Sequence, residues 1–176
     1  MRILRNLLIG IVVLIVLAVG VAYLLPRNVV VEREVVVNAP PEEVFDHVSS
    51  LQAFAEWSPW NDYDPDMSVT FSGPETGVGN VMEWSSEHPQ VGEGRQEIVE
   101  VIENELVRTT LDFGGMGTAE AWWALSPAEG GTRVVWGLNA DMGMNPAGRW
   151  MGLFLDGLIG ADYDSGFARL RAAVEG

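Results

Sequence analysis

The chain has 176 residues, with 10 Arg, no Lys, 25 acidic residues and a formal net charge of -15 at pH 7. It contains no Cys and two His, which excludes disulfide frameworks, zinc ribbons, iron-sulfur clusters and cysteine nucleophiles. The negative charge repels phosphate backbones, so we expect no nucleic-acid partner, and we expect no metal ion or other cofactor.

An uncharged segment over residues 7–25 lies near the start of the chain. Its nineteen residues include six Leu, three Ile and five Val. As a helix with a rise of about 1.5 Å per residue, they cross roughly 28 Å of hydrocarbon. The Leu, Ile and Val side chains favour insertion into the membrane by about 4 to 8 kcal/mol. The apolar region of a secretory signal is shorter, about 7 to 15 residues, and is followed by small residues at the cleavage site, whereas residues 24–27 read Leu-Leu-Pro-Arg. We therefore predict a retained transmembrane anchor over residues 1–27, with a cleaved signal as the alternative.

The positions of the arginines indicate an orientation for this anchor. Arg2, Arg5 and the terminal amine precede the span, and Arg27 follows it. The positive-inside rule then predicts a cytoplasmic N-terminus and an extracytoplasmic domain. Residues 28–176 carry all 25 acidic residues and are numerous enough to bury one core, so we predict a single domain there.

The domain is predicted to contain helices and an antiparallel sheet. Residues 29–37 form a Val-rich run that is typical of a strand. Pro41 followed by Glu42 and Glu43 favours a helix start, and a second short helix is predicted over about 51–57. Further strands, separated by glycine-rich turns, are predicted near 67–72, 79–86, 94–103, 105–113, 118–126 and 132–140. The pattern indicates an α+β fold with a sheet of about seven strands.

Alternation along these strands places bulky apolar side chains on one face of the sheet. Trp84, Trp123 and Trp136 are predicted to point inward, together with Met82 and Phe113. A curved sheet with such a face needs a cover, and the C-terminal helical region is the long element available. We therefore predict a cavity between the sheet and the C-terminal helix.

The C-terminal region is predicted to be helical but interrupted. Its apolar stripe changes sides near residues 157–160. This change predicts a helix over about 146–158, a break at Gly160 and a terminal helix over about 161–175.

Five segments, residues 36–45, 57–60, 72–79, 130–136 and 145–148, carry a resemblance to a known family. Taken together and in this order, the five segments resemble the SRPBCC superfamily over about residues 29–175. This superfamily comprises the START-like, polyketide cyclase/dehydrase and lipid-transport proteins. The resemblance implies a helix-grip fold with a deep apolar cavity, which relatives use to bind lipids, sterols, quinones or polyketides. No fixed catalytic set runs through the family, so it assigns no catalytic residue here.

The candidate ligand-binding residues are apolar side chains predicted on the inner sheet face, near the cavity mouth or on the first C-terminal helix. They are Trp57, Trp60, Phe71, Met82, Trp84, Ile98, Leu111, Phe113, Trp123, Trp136, Trp150 and Phe154. The alternative is that the tryptophans fill the cavity and leave a solid core. The helix carrying Trp150 and Phe154 is more apolar than a surface helix, so it is a candidate gate or a candidate for contact with the bilayer interface.

The polar candidates are weaker. Asp62, Asp64 and Asp66 alternate as in an EF-hand, but Gly and Glu are absent from its sixth and twelfth positions, so a solvated acidic loop is expected. His47 and His88 lack the partners of a catalytic triad. The arginines expected to pair with surface acids rather than with a ligand are Arg95, Arg108 and Arg149.

The sequence favours a non-enzymatic binding protein, held in the bilayer through residues 7–25, for a hydrophobic small molecule such as a lipid, quinone, sterol or polyketide-like compound. One alternative is a cyclase or dehydratase acting in the same cavity, for which Thr109, Gln96 and Asp156 are the polar candidates. The other is an interaction domain with a filled core, whose acidic surface recruits a partner.

Overall fold

The structure is a computed structural model that describes residues 2–176, with the backbone alone at residue 116. Its centre is a seven-stranded antiparallel sheet in the order β1-β7-β6-β5-β4-β3-β2. The strands are β1 Asn28–Val37, β2 Ser68–Ser72, β3 Val81–Ser85, β4 Glu93–Ile102, β5 Leu106–Asp112, β6 Thr118–Ala128 and β7 Gly131–Asp141. The predicted α+β fold with about seven strands is confirmed.

Five α-helices accompany the sheet. They are α1 Arg2–Ala22, α2 Pro41–Val48, α3 Leu51–Trp57, α4 Pro146–Gly152 and α5 Leu155–Glu175. Short 3-10 turns cover Pro59–Asp62 and Gly114–Met116. The helix α5 packs against β1 and against the turn after α3, so it covers one face of the sheet.

Local signals account for several element ends. The Ser50 hydroxyl accepts a hydrogen bond from the Ala53 amide and caps α3, and the Asn145 side chain accepts one from the Ala147 amide and caps α4. Asn104, with φ of 61°, makes the turn between β4 and β5, since Asn tolerates this left-handed conformation better than most residues.

The alternation along the strands has the predicted orientation. Val134, Trp136 and Trp123 are buried on the inner face. On the outer face Trp122 lies over Gly137, where a side chain on that residue would collide with the indole.

The predicted break at Gly160 is wrong, because α5 runs through this residue and the interruption lies at residues 153–154. A Cβ at Gly160 would meet the guanidinium of Arg33, and a Cβ at Gly166 would lie 2.6 Å from Cζ3 of Trp136. These two glycines therefore let α5 approach the sheet closely, and they do not end a helix.

The helix α1 projects from the domain with its apolar side chains exposed, and Ala22 near its end is buried. Its length and composition suit a membrane span, and they also suit a signal sequence. Five residues join α1 to β1.

Two arginines fasten this junction to the domain. Arg27 makes a two-pronged ion pair with Asp141, at 2.7 and 2.6 Å. Arg149 donates from Nε to the Gly143 carbonyl at 2.9 Å and from Nη1 to the Leu25 carbonyl at 2.7 Å. Arg149, expected to pair with a surface acid, is instead buried and binds backbone carbonyls.

Candidate functional site

A cavity of about 530 Å³ lies between the inner face of the sheet and the helices α3 and α5. This volume falls within the range of about 300–1,000 Å³ that is usual for small-molecule sites. Seven of the twelve predicted ligand-binding residues line it: Trp60, Met82, Trp84, Leu111, Phe113, Trp123 and Trp136. The inward tryptophans therefore form walls around a space and do not fill it.

The other five predicted residues lie outside the cavity lining. Trp57 is buried in the core, where its indole donates to the His47 carbonyl at 3.1 Å, and Ile98 is also fully buried there. Phe71 lies on the edge strand and is exposed. Trp150 and Phe154 are exposed at the corner where α4 meets α5.

Sequence reasoning missed several residues that shape the cavity. Ala119 and Ala121 on β6, with Ala140 on β7, line it with small side chains. They share the inner face with Trp123, so the alternation that placed the tryptophan inward also carried the signal for open space beside it. From α5, the lining includes Leu155, Leu158, Ile159 and Tyr163, which no period-2 pattern could reveal.

A cluster of aromatic rings forms one wall. Trp136 stacks on Tyr163 with ring centroids 3.9 Å apart and planes 10° apart, and Trp123 lies 5.7 Å from Trp136. Burial raises the pKa of the Tyr163 phenol, so this ring stays neutral. Such packed rings hold each other in place and present a stiff apolar surface.

A polar pair lies within this apolar surface. The Gln96 side chain lines the cavity and donates from Nε2 to the Thr109 hydroxyl at 2.9 Å. Both residues are buried on the inner face of the sheet. A glutamine amide has two donors and one acceptor oxygen, so this bond leaves further capacity for a ligand.

The two lining carboxylates already have hydrogen-bond partners. The ion pair with Arg27 lowers the pKa of Asp141 to about 2. Asp162 accepts a hydrogen bond from the Tyr63 hydroxyl at 2.7 Å, and this bond raises the pKa of Tyr63.

Other polar candidates from the sequence lie apart from the cavity. Asp156 is not among the lining residues and pairs with Arg33 on β1 at 2.9 Å. In the acidic loop, Asp64 accepts hydrogen bonds from the Asp66 amide and the Ser86 hydroxyl. Among residues 2–176 no group of three His, Asp or Glu side chains is arranged to hold a metal ion.

Comparisons with known proteins agree with this geometry. A family model described as polyketide cyclase/dehydrase and lipid transport matches residues 28–175. A search among curated proteins found no match to the sequence.

Solved structures of similar fold include protein TTHA0849 from Thermus thermophilus, at 21% identity and a TM-score of 0.60, covering 84% of this chain and 96% of that one. Protein CV1439 from Chromobacterium violaceum has 19% identity and a TM-score of 0.56, with coverage of 84% and 97%. The di-domain ARO/CYC StfQ of the steffimycin biosynthetic pathway has 12% identity and a TM-score of 0.61, with coverage of 84% and 51%. At these identities the similarity shows a common fold.

Proposed function

The chain belongs to the polyketide cyclase/dehydrase and lipid transport family, and from this premise we propose that it is a membrane-anchored protein that binds a hydrophobic small molecule in its cavity. The observation that carries the proposal is the space of about 530 Å³ between sheet and helix, lined mainly by aromatic, aliphatic and Met side chains. Burial of an apolar ligand there is favoured by roughly 25 cal/mol for each Å² removed from water.

The lining favours a ligand with a ring system and few polar atoms. The stacked pair Trp136 and Tyr163 offers a flat apolar wall, and Gln96 offers a hydrogen-bonding group on the inner face of the sheet, among mainly apolar lining residues. Lipids, quinones, sterols and polyketide-like compounds with a single carbonyl or hydroxyl group near Gln96 fit this chemistry.

The arrangement of polar groups favours binding over a cyclase or dehydratase reaction. Such a reaction requires an acid or base that can transfer a proton at the substrate. Asp141 and Asp162 are the carboxylates among the lining residues, and each is bonded to a neighbouring side chain. The Gln96 amide can form a hydrogen bond with a ligand, but it is neither an acid nor a base that could transfer a proton.

Membrane anchoring is supported by α1, whose many apolar side chains are exposed. An exposed apolar surface of this size is unfavourable in water and is typical of contact with a membrane. Arg2 and Arg5 before the span, against Arg27 after it, favour a cytoplasmic N-terminus. Because the chain lacks Cys, the single-cysteine variant Val78→Cys reports the side of the domain. We expect an impermeant maleimide to label it in intact cells, and labelling only after the cells are broken open would place the domain in the cytoplasm.

The ligand proposal is tested by filling the cavity. Ala121 points into the cavity from β6, whereas Ala124 lies on the opposite face of the same strand. Full-length wild type, Ala121→Trp and the matched control Ala124→Trp are purified in one detergent, extracted with organic solvent and analysed by mass spectrometry. Lipids carried by α1 will be common to all three proteins.

We expect a hydrophobic compound that is present in wild type and Ala124→Trp and depleted several-fold in Ala121→Trp. The same compound, added to delipidated protein, should raise the melting temperature of wild type and leave Ala121→Trp unchanged. Identical extracts and identical melting temperatures for two folded variants would contradict a ligand-binding cavity.

A further inference from the structure

An exposed apolar patch lies at the corner where α4 meets α5. It consists of six large side chains, between 37% and 64% exposed: Met144, Trp150, Met151, Leu153, Phe154 and Leu158. We call these six residues the corner patch. Soluble monomers seldom expose so many large apolar side chains together, and such patches mark contact with a membrane or a partner.

The corner patch carries no free charge. Over residues 144–158, which the structure describes throughout, the charged residues are Arg149 and Asp156. Arg149 is buried against two backbone carbonyls, and Asp156 is paired with Arg33. Insertion of the patch into a bilayer therefore exposes no unpaired ionic group to hydrocarbon.

Contacts with α1 place the corner patch beside the predicted membrane span. The indole Nε1 of Trp150 donates to the Ala18 carbonyl at 3.2 Å. Ala18 lies four residues before the end of α1, about 6 Å along the axis at 1.5 Å per residue. It also falls within the uncharged stretch of residues 7–25. A bilayer that surrounds this stretch therefore reaches Trp150, and tryptophan is favoured at such interfaces.

The cavity extends to the same corner. Met151 and Leu158 belong to the corner patch and also line the cavity, with Leu155 and Ile159 behind them. The cavity wall and the exposed patch are thus parts of one continuous apolar surface.

We infer that the corner patch inserts into the bilayer that holds α1, so that the cavity opens into the membrane and its ligand enters laterally from the lipid. This inference rests on the proposed function, in which α1 spans the bilayer and the cavity holds a hydrophobic ligand. A ligand that enters in this way passes from lipid to the cavity without exposing its apolar surface to water, a step that is otherwise strongly unfavourable.

Insertion is tested with single cysteines, since the native chain has none. The full-length variants Leu14→Cys in α1, Phe154→Cys in the corner patch and Val78→Cys are labelled with the dye NBD and reconstituted in phosphatidylcholine vesicles containing nitroxide-labelled lipid. Val78 is 60% exposed in the loop before β3, at the end of the sheet opposite the corner patch.

We expect strong quenching and blue-shifted emission at positions 14 and 154, and the emission of a dye in water at position 78. Quenching at position 14 together with water-like emission at position 154 would overturn the inference and leave the anchor intact. Water-like emission at position 14 would instead remove the anchor itself, and with it both the proposed membrane attachment and this inference.

Lateral entry of the ligand is tested separately, by placing a charged side chain in the corner patch. Phe154→Glu and the matched control Val78→Glu are expressed in full length, and the bound compound is extracted and measured as for the cavity variants. We expect Phe154→Glu to lose most of the ligand and Val78→Glu to retain it. Equal loading of both variants would show that entry does not pass through the corner patch, while depletion in Ala121→Trp would still support the cavity.

Discussion

The glycines of α5 make a sharp test of how this helix packs on the sheet. Gly157 is exposed, and a Cβ added there meets no atom within 4 Å. Gly166 is buried, and its Cβ would lie 2.6 Å from the ring of Trp136. That ring is held between Tyr163 at 3.9 Å and Trp57 at 5.3 Å, so it cannot move aside easily.

Gly157→Ala should stabilise the domain by about 1 kcal/mol, the difference in helix propensity between the two residues. Gly166→Ala gains the same propensity but suffers overpacking of about 3 kcal/mol, the upper end of the usual range, because the ring is fixed. The net effect is a loss of about 2 kcal/mol.

The assay is thermal unfolding of the full chain in detergent, followed by tryptophan fluorescence. Since 1 kcal/mol corresponds to about 2–4 °C for a domain of this size, Gly157→Ala should melt about 3 °C higher and Gly166→Ala about 6 °C lower than wild type. A Gly166→Ala protein as stable as Gly157→Ala would refute close packing as the reason for the glycine.

Two further predictions concern the junction between α1 and the domain. Arg149→Met removes two hydrogen bonds from a charged donor, each worth about 1.5–3 kcal/mol, although removing the buried charge also removes its desolvation cost. It should therefore destabilise the domain by several times more than Arg108→Met, which breaks only an exposed ion pair with Glu100. Equal shifts of the urea midpoint in the two variants would contradict this prediction. The pKa of Asp141 in the folded protein, about 2, lies below the ordinary value of 3.8, so the ionised carboxylate stabilises the fold above about pH 4 and this stabilisation is lost as the pH falls toward 2. The melting temperature of Asp141→Asn should lack that part of the pH dependence. The same pH dependence in Asp141→Asn and wild type would show that the ion pair does not stabilise the fold.

The sheet and its inner face could be predicted because period-2 alternation is a local signal. The neighbours of Trp123 and Trp136 in sequence suffice to predict that both side chains point inward, and both are buried there. The position of the break between the C-terminal helices could not be predicted, because a glycine that ends a helix and a glycine that permits close packing look alike in sequence. Only the approach of Arg33 and Trp136 to α5 distinguishes them.

The candidate site was partly predictable for the same reason. Cavity residues on the strands follow the alternation, and Met82 and Leu111 are examples. Apolar character alone predicts ligand contact for Trp150 and Phe154, but which apolar surface is covered depends on contacts far apart in sequence. The bond between Trp150 and Ala18 joins residues 132 positions apart. The binding of Arg149 to the Leu25 carbonyl is equally remote.

The short connection between α1 and β1 limits where this protein can act. Five residues separate the two elements, and even fully extended they span only about 17 Å. The contacts of Arg27 and Arg149 shorten that reach further. With α1 in a membrane, as proposed, a domain held so closely cannot carry a ligand across an aqueous gap to another membrane. On that proposal, ligand exchange is limited to the membrane that holds α1, or to a carrier that comes to the domain and meets it in one fixed orientation.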